Sequence, residues 1–272
     1  MSRDASYRDL FGQVDAWWES LDGDEKSLYL SGEFPLMFSY NSGRLENEEI
    51  TLHDTAEIFD RGRVISFTGE LRTLFEISNL KDAWSSALDL ASSFGPIQIS
   101  DLLNLHAVLT KGTYDEERWS RGERPGTFKI GDYAVAGDVG YYPDEVEPAV
   151  VGLMDELEGF LSSDRMSPEN CFVTSCYAHA MLVDIHPFAD GNGRTARLLQ
   201  NIVLIRCDCA PIVFEESDRM AYYGALDAFH RDEDLDPFLN FCAVEAQKTW
   251  SRRIHGLSPS ERQDDCKKRI KR

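Results

Sequence analysis

The residues best suited to chemistry lie together in one run, His186-Pro187-Phe188-Ala189-Asp190-Gly191-Asn192-Gly193-Arg194-Thr195-Ala196-Arg197. An imidazole titrating at about 6.5 when unperturbed suits general-base work, which makes His186 a candidate base. Asp190 supplies the hard oxygen that Mg²⁺ prefers, a cation usually held by one or two carboxylates together with substrate phosphates. Gly191 and Gly193 let the backbone come close to a ligand, and N–H groups at a helix start favour an anion. Arg194 and Arg197 are three apart and share a face of that first turn. Cations there are unfavourable for the helix alone, so two of them point to a polyphosphate. Taken singly, each residue has a plainer reading: a helix cap, a turn, or surface arginines paired with acids. The conjunction points to a polyphosphate, a divalent metal and a base at the lip, with Phe188 anchoring the loop.

The elements that must position this run read as helical. Ser167-Pro168-Glu169 is a strong helix start, and that helix runs until Pro187 stops it. A second helix runs from about Gly193 to Cys207. Gly191 to Ala196 also fits G-x-G-x-x-A, the dinucleotide fingerprint, but that motif needs a short strand immediately before it and here a long helix precedes it. No G-x-x-x-x-G-K-S/T phosphate loop is present. Upstream, helical spacing covers 7–21, 70–93 and 101–110. The chain reads as irregular near 33–41, around Pro35, with Ser42 as the N-cap of a short helix carrying Leu45 and Glu46. Thr51 and Asp54 resemble a capping box for a helix stopped near Gly62. The glycine-rich stretch 112–142 contains two alternating segments, Phe128-Lys129-Ile130 and Tyr133-Ala134-Val135, around Gly131-Asp132, which predicts a small β-hairpin. Helices then follow over 143–160, from Ser217 through Phe229, and from Asp236 to about Trp250. The expected organisation is an N-terminal helical region (1–65), a core (66–250) and a basic tail (251–272) with poor order.

Bulk properties narrow the class. The 272 residues carry a net charge of -20, which argues against sequence-independent nucleic-acid binding. The start, Met1-Ser2-Arg3-Asp4, has no apolar signal-peptide run, and no stretch is long enough to span a bilayer. Six scattered cysteines without metal-ligand spacing read as reduced thiols, so a cytoplasmic protein without membrane association is expected.

The run at 186–197 resembles the Fic-family motif, H-P-F-x-D/E-G-N-G-R-x-x-R, at every specified position. The resemblance implies a mostly α Fic fold, a helical bundle with a small β-hairpin flap near the active site. It also implies transfer of AMP from ATP, with Mg²⁺, to a Ser, Thr or Tyr hydroxyl of a protein target or of the chain itself. His186 would take the hydroxyl proton and Asp190 would hold the metal. Gly191, Asn192 and Gly193 would form the anion hole, with the Asn192 side chain also reaching phosphate. Arg194 would meet the β-phosphate region and Arg197 the γ-phosphate, orienting the nucleotide. Phe128, Lys129 and Ile130 resemble the family's target-docking flap, which holds a target by strand addition. Leu105-His106 resembles a family pair in which the histidine is structural. One of Tyr222 and Tyr223 is expected at the adenine pocket, against the alternative that both are core aromatics. Family members often dimerise, which makes a homodimer an expectation.

Ser42-Gly43-Arg44-Leu45-Glu46-Asn47 resembles the family's inhibitory motif, S/T-x-x-x-E-G/N, on a helix around 42–48 that precedes the core. Glu46 would pair with Arg197 and keep it from the γ-phosphate, bidentately at best. Three alternatives stay open: removal of AMP, a different nucleotide donor, and a nucleotide-binding regulatory module without catalysis.

Overall fold

The computed structural model describes residues 6–65, 67–135, 138–164 and 166–254. The predicted tail therefore lies largely outside the described residues. Twelve α-helices are described: α1 (Tyr7–Glu19), α2 (Gly23–Ser31), α3 (Glu33–Arg44), α4 (Leu52–Arg61), α5 (Leu71–Ser92), α6 (Ile99–Leu109), α7 (Glu116–Ser120), α8 (Pro143–Leu161), α9 (Pro168–Ile185), α10 (Asn192–Arg206), α11 (Arg219–Asp232) and α12 (Asp236–Ile254). No described helix is long and apolar enough to cross a membrane.

The centre is the pair α9 and α10, joined by the six residues 186–191. Residues Thr195 to Leu204 of α10 are all buried, and α10 packs on α9, α5, α6 and α3. A helix buried on most sides needs neighbours on most sides, including partners for its buried Arg197, Gln200 and Asn201, and the bundle is built around it. α9 begins as expected, with the Ser167 hydroxyl accepting from the Asn170 N–H at 3.2 Å and Pro168 in the first turn. It ends at His186, in the left-handed region at φ 51, since the following Pro187 disfavours right-handed helix there. α1 lies along α12. Trp17, Trp18, Tyr29, Phe34 and Trp250 gather there, with Trp250 within 5.2 to 5.6 Å of Trp17, Trp18, Tyr29 and Phe34. Helices α1 and α3 are thus part of the same core as α9–α12.

Three local expectations need correction. Ser42 is not an N-cap: α3 starts at Glu33, runs through Pro35 and buries Ser42 inside the helix. Pro35 is tolerated because it sits in the first turn, where no intrahelical N–H bond is required. Glu46 falls in the turn that follows, with its N–H donating to Gly43 O at 3.0 Å. The antiparallel pair forms one segment later than expected, between Ala134–Val135 and Asp138–Val139, with Ala134 opposite Val139. Residues 129–131 do not join it, since their N–H groups are already used. Lys129 donates to Pro187 O at 2.8 Å, and Ile130 and Gly131 both donate to the Glu123 carboxylate at 3.1 Å. Finally, α2 has no buried residue and therefore no apolar stripe to reveal it, although Asp22 and Glu25 form a capping box.

Candidate active site

Each residue of the run at 186–197 is placed by an identifiable contact. Phe188 is fully buried and stacks on His106, ring centroids 3.7 Å apart and nearly parallel. His106 Nδ1 accepts from the Gly126 N–H at 2.9 Å, so its Nε2–H donates to Asp190 O, also 2.9 Å away. One buried imidazole therefore ties the flap approach to the catalytic loop. This is the structural part expected of it, and burial holds it neutral, with a pKa lowered to about 4. Asn192 closes the loop on itself. Its Oδ1 accepts from the Phe188 N–H at 2.9 Å and its Nδ2 donates to Phe188 O at 2.8 Å. That amide holds the loop rather than reaching outward, although Asn192 still lines the cavity described below. Gly191 caps α10 at φ 86, and an added Cβ would meet Thr110 Cγ2 at 2.9 Å.

His186 lines a cavity of about 370 Å³ between α9, α10 and α11. That volume is in the range of small-molecule sites. Its Nδ1 is buried with no hydrogen-bond partner among the described residues. Burial first, and the nearby Lys129 charge second, lower its pKa to about 4, so it is a neutral base at ordinary pH. Lys129 is 2% exposed and its Nζ is likewise buried without a described partner. Burial lowers the pKa of that ammonium. Phe128 and Ile130 flank it without the alternation of a strand, Phe128 toward Phe188 and Ile130 outward at 58% exposure.

Arg197 is fully engaged. Nη2 donates to Glu46 Oε1 at 2.7 Å and to Ser42 O at 3.0 Å, Nε to Ser42 Oγ at 2.9 Å, and Nη1 to Tyr222 OH at 3.2 Å. Burial alone would lower its pKa, but Tyr222 and Glu46 overcome that and raise it. The pair with Glu46 uses one nitrogen and one oxygen, not the bidentate fork. Glu46 reaches across the first turn of α10, and an added Cβ on Gly193 would lie 2.6 Å from its Oε1. The two tyrosines divide the alternatives left open by the sequence. Tyr222 is 1% exposed and bridges Arg197 to His179 Nε2, 3.0 Å away, as a core aromatic would. Tyr223 is 39% exposed at the cavity wall. The far end of the cavity holds Asp184 and His230, paired at 2.5 Å, together with Asp227.

Asp190 faces α5. Its Oδ1 accepts from Arg194 Nη2 at 3.2 Å and its Oδ2 from Arg72 Nη2 at 2.8 Å. Burial would raise the carboxyl pKa, but Arg194, Arg72 and Arg118 lower it. Glu76, almost fully buried, accepts from Arg72 Nε at 2.9 Å and from Asn47 Nδ2 at 2.7 Å. Arg72 and Glu76 were not singled out from sequence, and Asn47 only as the last position of the inhibitory motif. The available signal was weak: Arg72 and Glu76 stand four apart on α5, a spacing common to many surface pairs. Among the described residues no group of three or more His, Cys, Asp or Glu could hold a metal by itself. The donor set instead fits a cation that takes one carboxylate here and its other oxygens from a nucleotide and water.

Residues 96–204, which span this loop and the helices around it, match the family model described as the Fic/DOC family. The chain carries a Fic domain. Among curated proteins, the chain is 35% identical over 153 residues to the protein adenylyltransferase Fic of Drosophila persimilis, covering 56% of this chain and 28% of that one. It is 28% identical over 247 residues to the protein of the same name from Culex quinquefasciatus, covering 89% and 45%. The chain thus spans less than half the length of these relatives. Among solved structures, Fic-1 from C. elegans superposes with a TM-score of 0.76 at 24% identity, covering 92% of this chain and 71% of that one. A Fic domain containing signaling protein from Bacteroides thetaiotaomicron gives 0.78 at 23%, covering 90% and 95%. The shared fold therefore extends through most of the chain.

Proposed function

We propose that this protein is an adenylyltransferase that moves AMP from ATP to a hydroxyl of a protein target, or of itself, under restraint by Glu46. The observation that carries this reading is the cavity in which a neutral His186, its Nδ1 without a partner among the described residues, lies beside the start of α10, whose first two turns carry Arg194 and Arg197. The hydroxyl oxygen attacks the α-phosphorus, its proton passes to the His186 imidazole, and pyrophosphate leaves. The N–H groups at the start of α10 face the charge that develops on the phosphate oxygens. Mg²⁺ bound at Asp190 would supply charge neutralisation for the leaving pyrophosphate. Arg197 holds the nucleotide's far end so that the α-phosphate meets His186, and such positioning is most of what phosphoryl-type catalysis asks of a protein.

Glu46 opposes this by pairing with Arg197 in the absence of nucleotide. A specific observation favours a second reading of the same carboxylate. Glu46 and His186 line the same cavity, so Glu46 is placed to orient a water for removal of AMP from a modified protein. Intact-mass analysis after incubation of Glu46→Gly protein with Mg-ATP tests the first reading. A gain of one AMP with release of pyrophosphate is expected. A gain of one phosphate, or no gain on self or on a candidate target protein, would contradict it.

A further inference from the structure

Asp190 is held by two guanidiniums of different kinds. Arg194 lies on its own helix and is 2% exposed, fixed within the bundle. Arg72 comes from α5 and is 36% exposed, free to turn toward solvent. It sits at the second residue of α5, where the helix dipole disfavours a cation, so its position has to be compensated from outside the helix. Asp190 and Glu76 provide that compensation.

We propose that Arg72 is a placeholder cation, occupying Asp190 in the nucleotide-free protein and excluding a divalent metal until a polyphosphate draws it away. The proposal rests on the reading of Asp190 as the metal-binding carboxylate. The local charges explain the effect. Asp190 and Glu76 supply two negative charges, set against Arg72, Arg194 and the nearby Arg118, so the site carries no excess negative charge as it stands. A divalent ion arriving there finds both carboxylate oxygens already taken by donors and no excess negative charge to attract it. ATP brings its own negative charge, gives Arg72 another partner and frees Oδ2. Metal and nucleotide then enter together rather than one before the other. Glu76 adds a link to the restraint, since its second oxygen accepts from Asn47, the neighbour of Glu46. In the free protein Arg197 and Asp190, the residues meant for phosphate and for metal, are thus both occupied by internal partners.

Binding of Mn²⁺, followed by the electron paramagnetic resonance signal of the free ion, tests this on the whole chain without reference to activity. Wild type, Arg72→Gln, Arg72→Lys and Arg72→Gln/Asp190→Asn are compared without nucleotide. Arg72→Gln should bind Mn²⁺ roughly five- to tenfold more tightly than wild type. Arg72→Lys, which keeps the charge, should stay close to wild type, and adding Asp190→Asn should remove the gain. Equal affinity of wild type and Arg72→Gln, or a gain that survives Asp190→Asn, would overturn the proposal. Repeating the titration with α,β-methylene-ATP separates it from the reading beneath. If Asp190→Asn still weakens Mn²⁺ binding to that complex, only the placeholder fails. If it does not, Asp190 is no metal ligand and both fail.

Discussion

At the scale of single residues, the account turns on the ionisation of His186. An imidazole in water holds its proton below about pH 6.5. Burial and the Lys129 charge lower the His186 pKa to about 4, so the folded protein releases that proton earlier as pH rises. Between these two values the base is neutral and competent where an ordinary histidine would be protonated and idle. The kcat/KM of Glu46→Gly protein, which reports the free enzyme, should therefore stay level from about pH 8 down to about pH 5 and fall only near pH 4. A pH–rate profile whose acid limb is centred near 6.5 would show that the buried, desolvated His186 is not the base. This part of the site was legible in the sequence, because residue types and spacing in 186–197 carry the chemistry directly. What the sequence did not show was the state of Lys129. A lysine in an alternating segment gives no sign that its ammonium will be buried beside a histidine.

At the scale of elements, the loop between α9 and α10 is held by backbone geometry. Gly191 combines a left-handed φ of 86 with a Cβ position 2.9 Å from Thr110. Left-handed backbone costs an L-residue about 1–2 kcal/mol, and the contact adds to it. Gly191→Ala should lower unfolding stability by about 2 kcal/mol or more, read from the urea midpoint, and weaken ATP binding measured by calorimetry. A variant as stable as wild type with unchanged affinity would mean that the loop does not need this turn. The starts and stops of α9 and of α4 were readable, since Ser167-Pro168, Pro187, Thr51 and Gly62 act through local chemistry. The end of α3 and the place of the strand pair were not. Pro35 reads as a breaker until it is known to lie in a first turn. The strand register depends on Glu123, whose buried carboxylate takes the N–H groups of Ile130 and Gly131 from eight or fewer residues away. Such tertiary use of donors leaves no trace in alternation.

At the scale of the whole molecule, the contacts on which the proposed restraint rests are products of long-range packing. Glu46 meets Arg197 across 151 positions and Arg72 meets Asp190 across 118. The first meeting was expected because a motif marked both partners. The second was hidden because no motif contains Arg72. Both depend on the bundle that packs α3 and α5 against α10, itself extended by the aromatic cluster that binds α1 to α12. The proposed restraint and the proposed metal carboxylate thus lie within one packed bundle, the Glu46 turn meeting Arg197 of α10 and Arg72 of α5 meeting Asp190. Transfer of label from α-labelled ATP, with Mg²⁺, to wild type, Glu46→Gly and Glu46→Gly/His186→Ala tests the proposed restraint most directly. The account predicts label in Glu46→Gly at least about tenfold above wild type, the effect of a competing contact worth roughly 1.4 kcal/mol, and background label in the double variant. Equal labelling of wild type and Glu46→Gly, or label that survives the loss of His186, would contradict it.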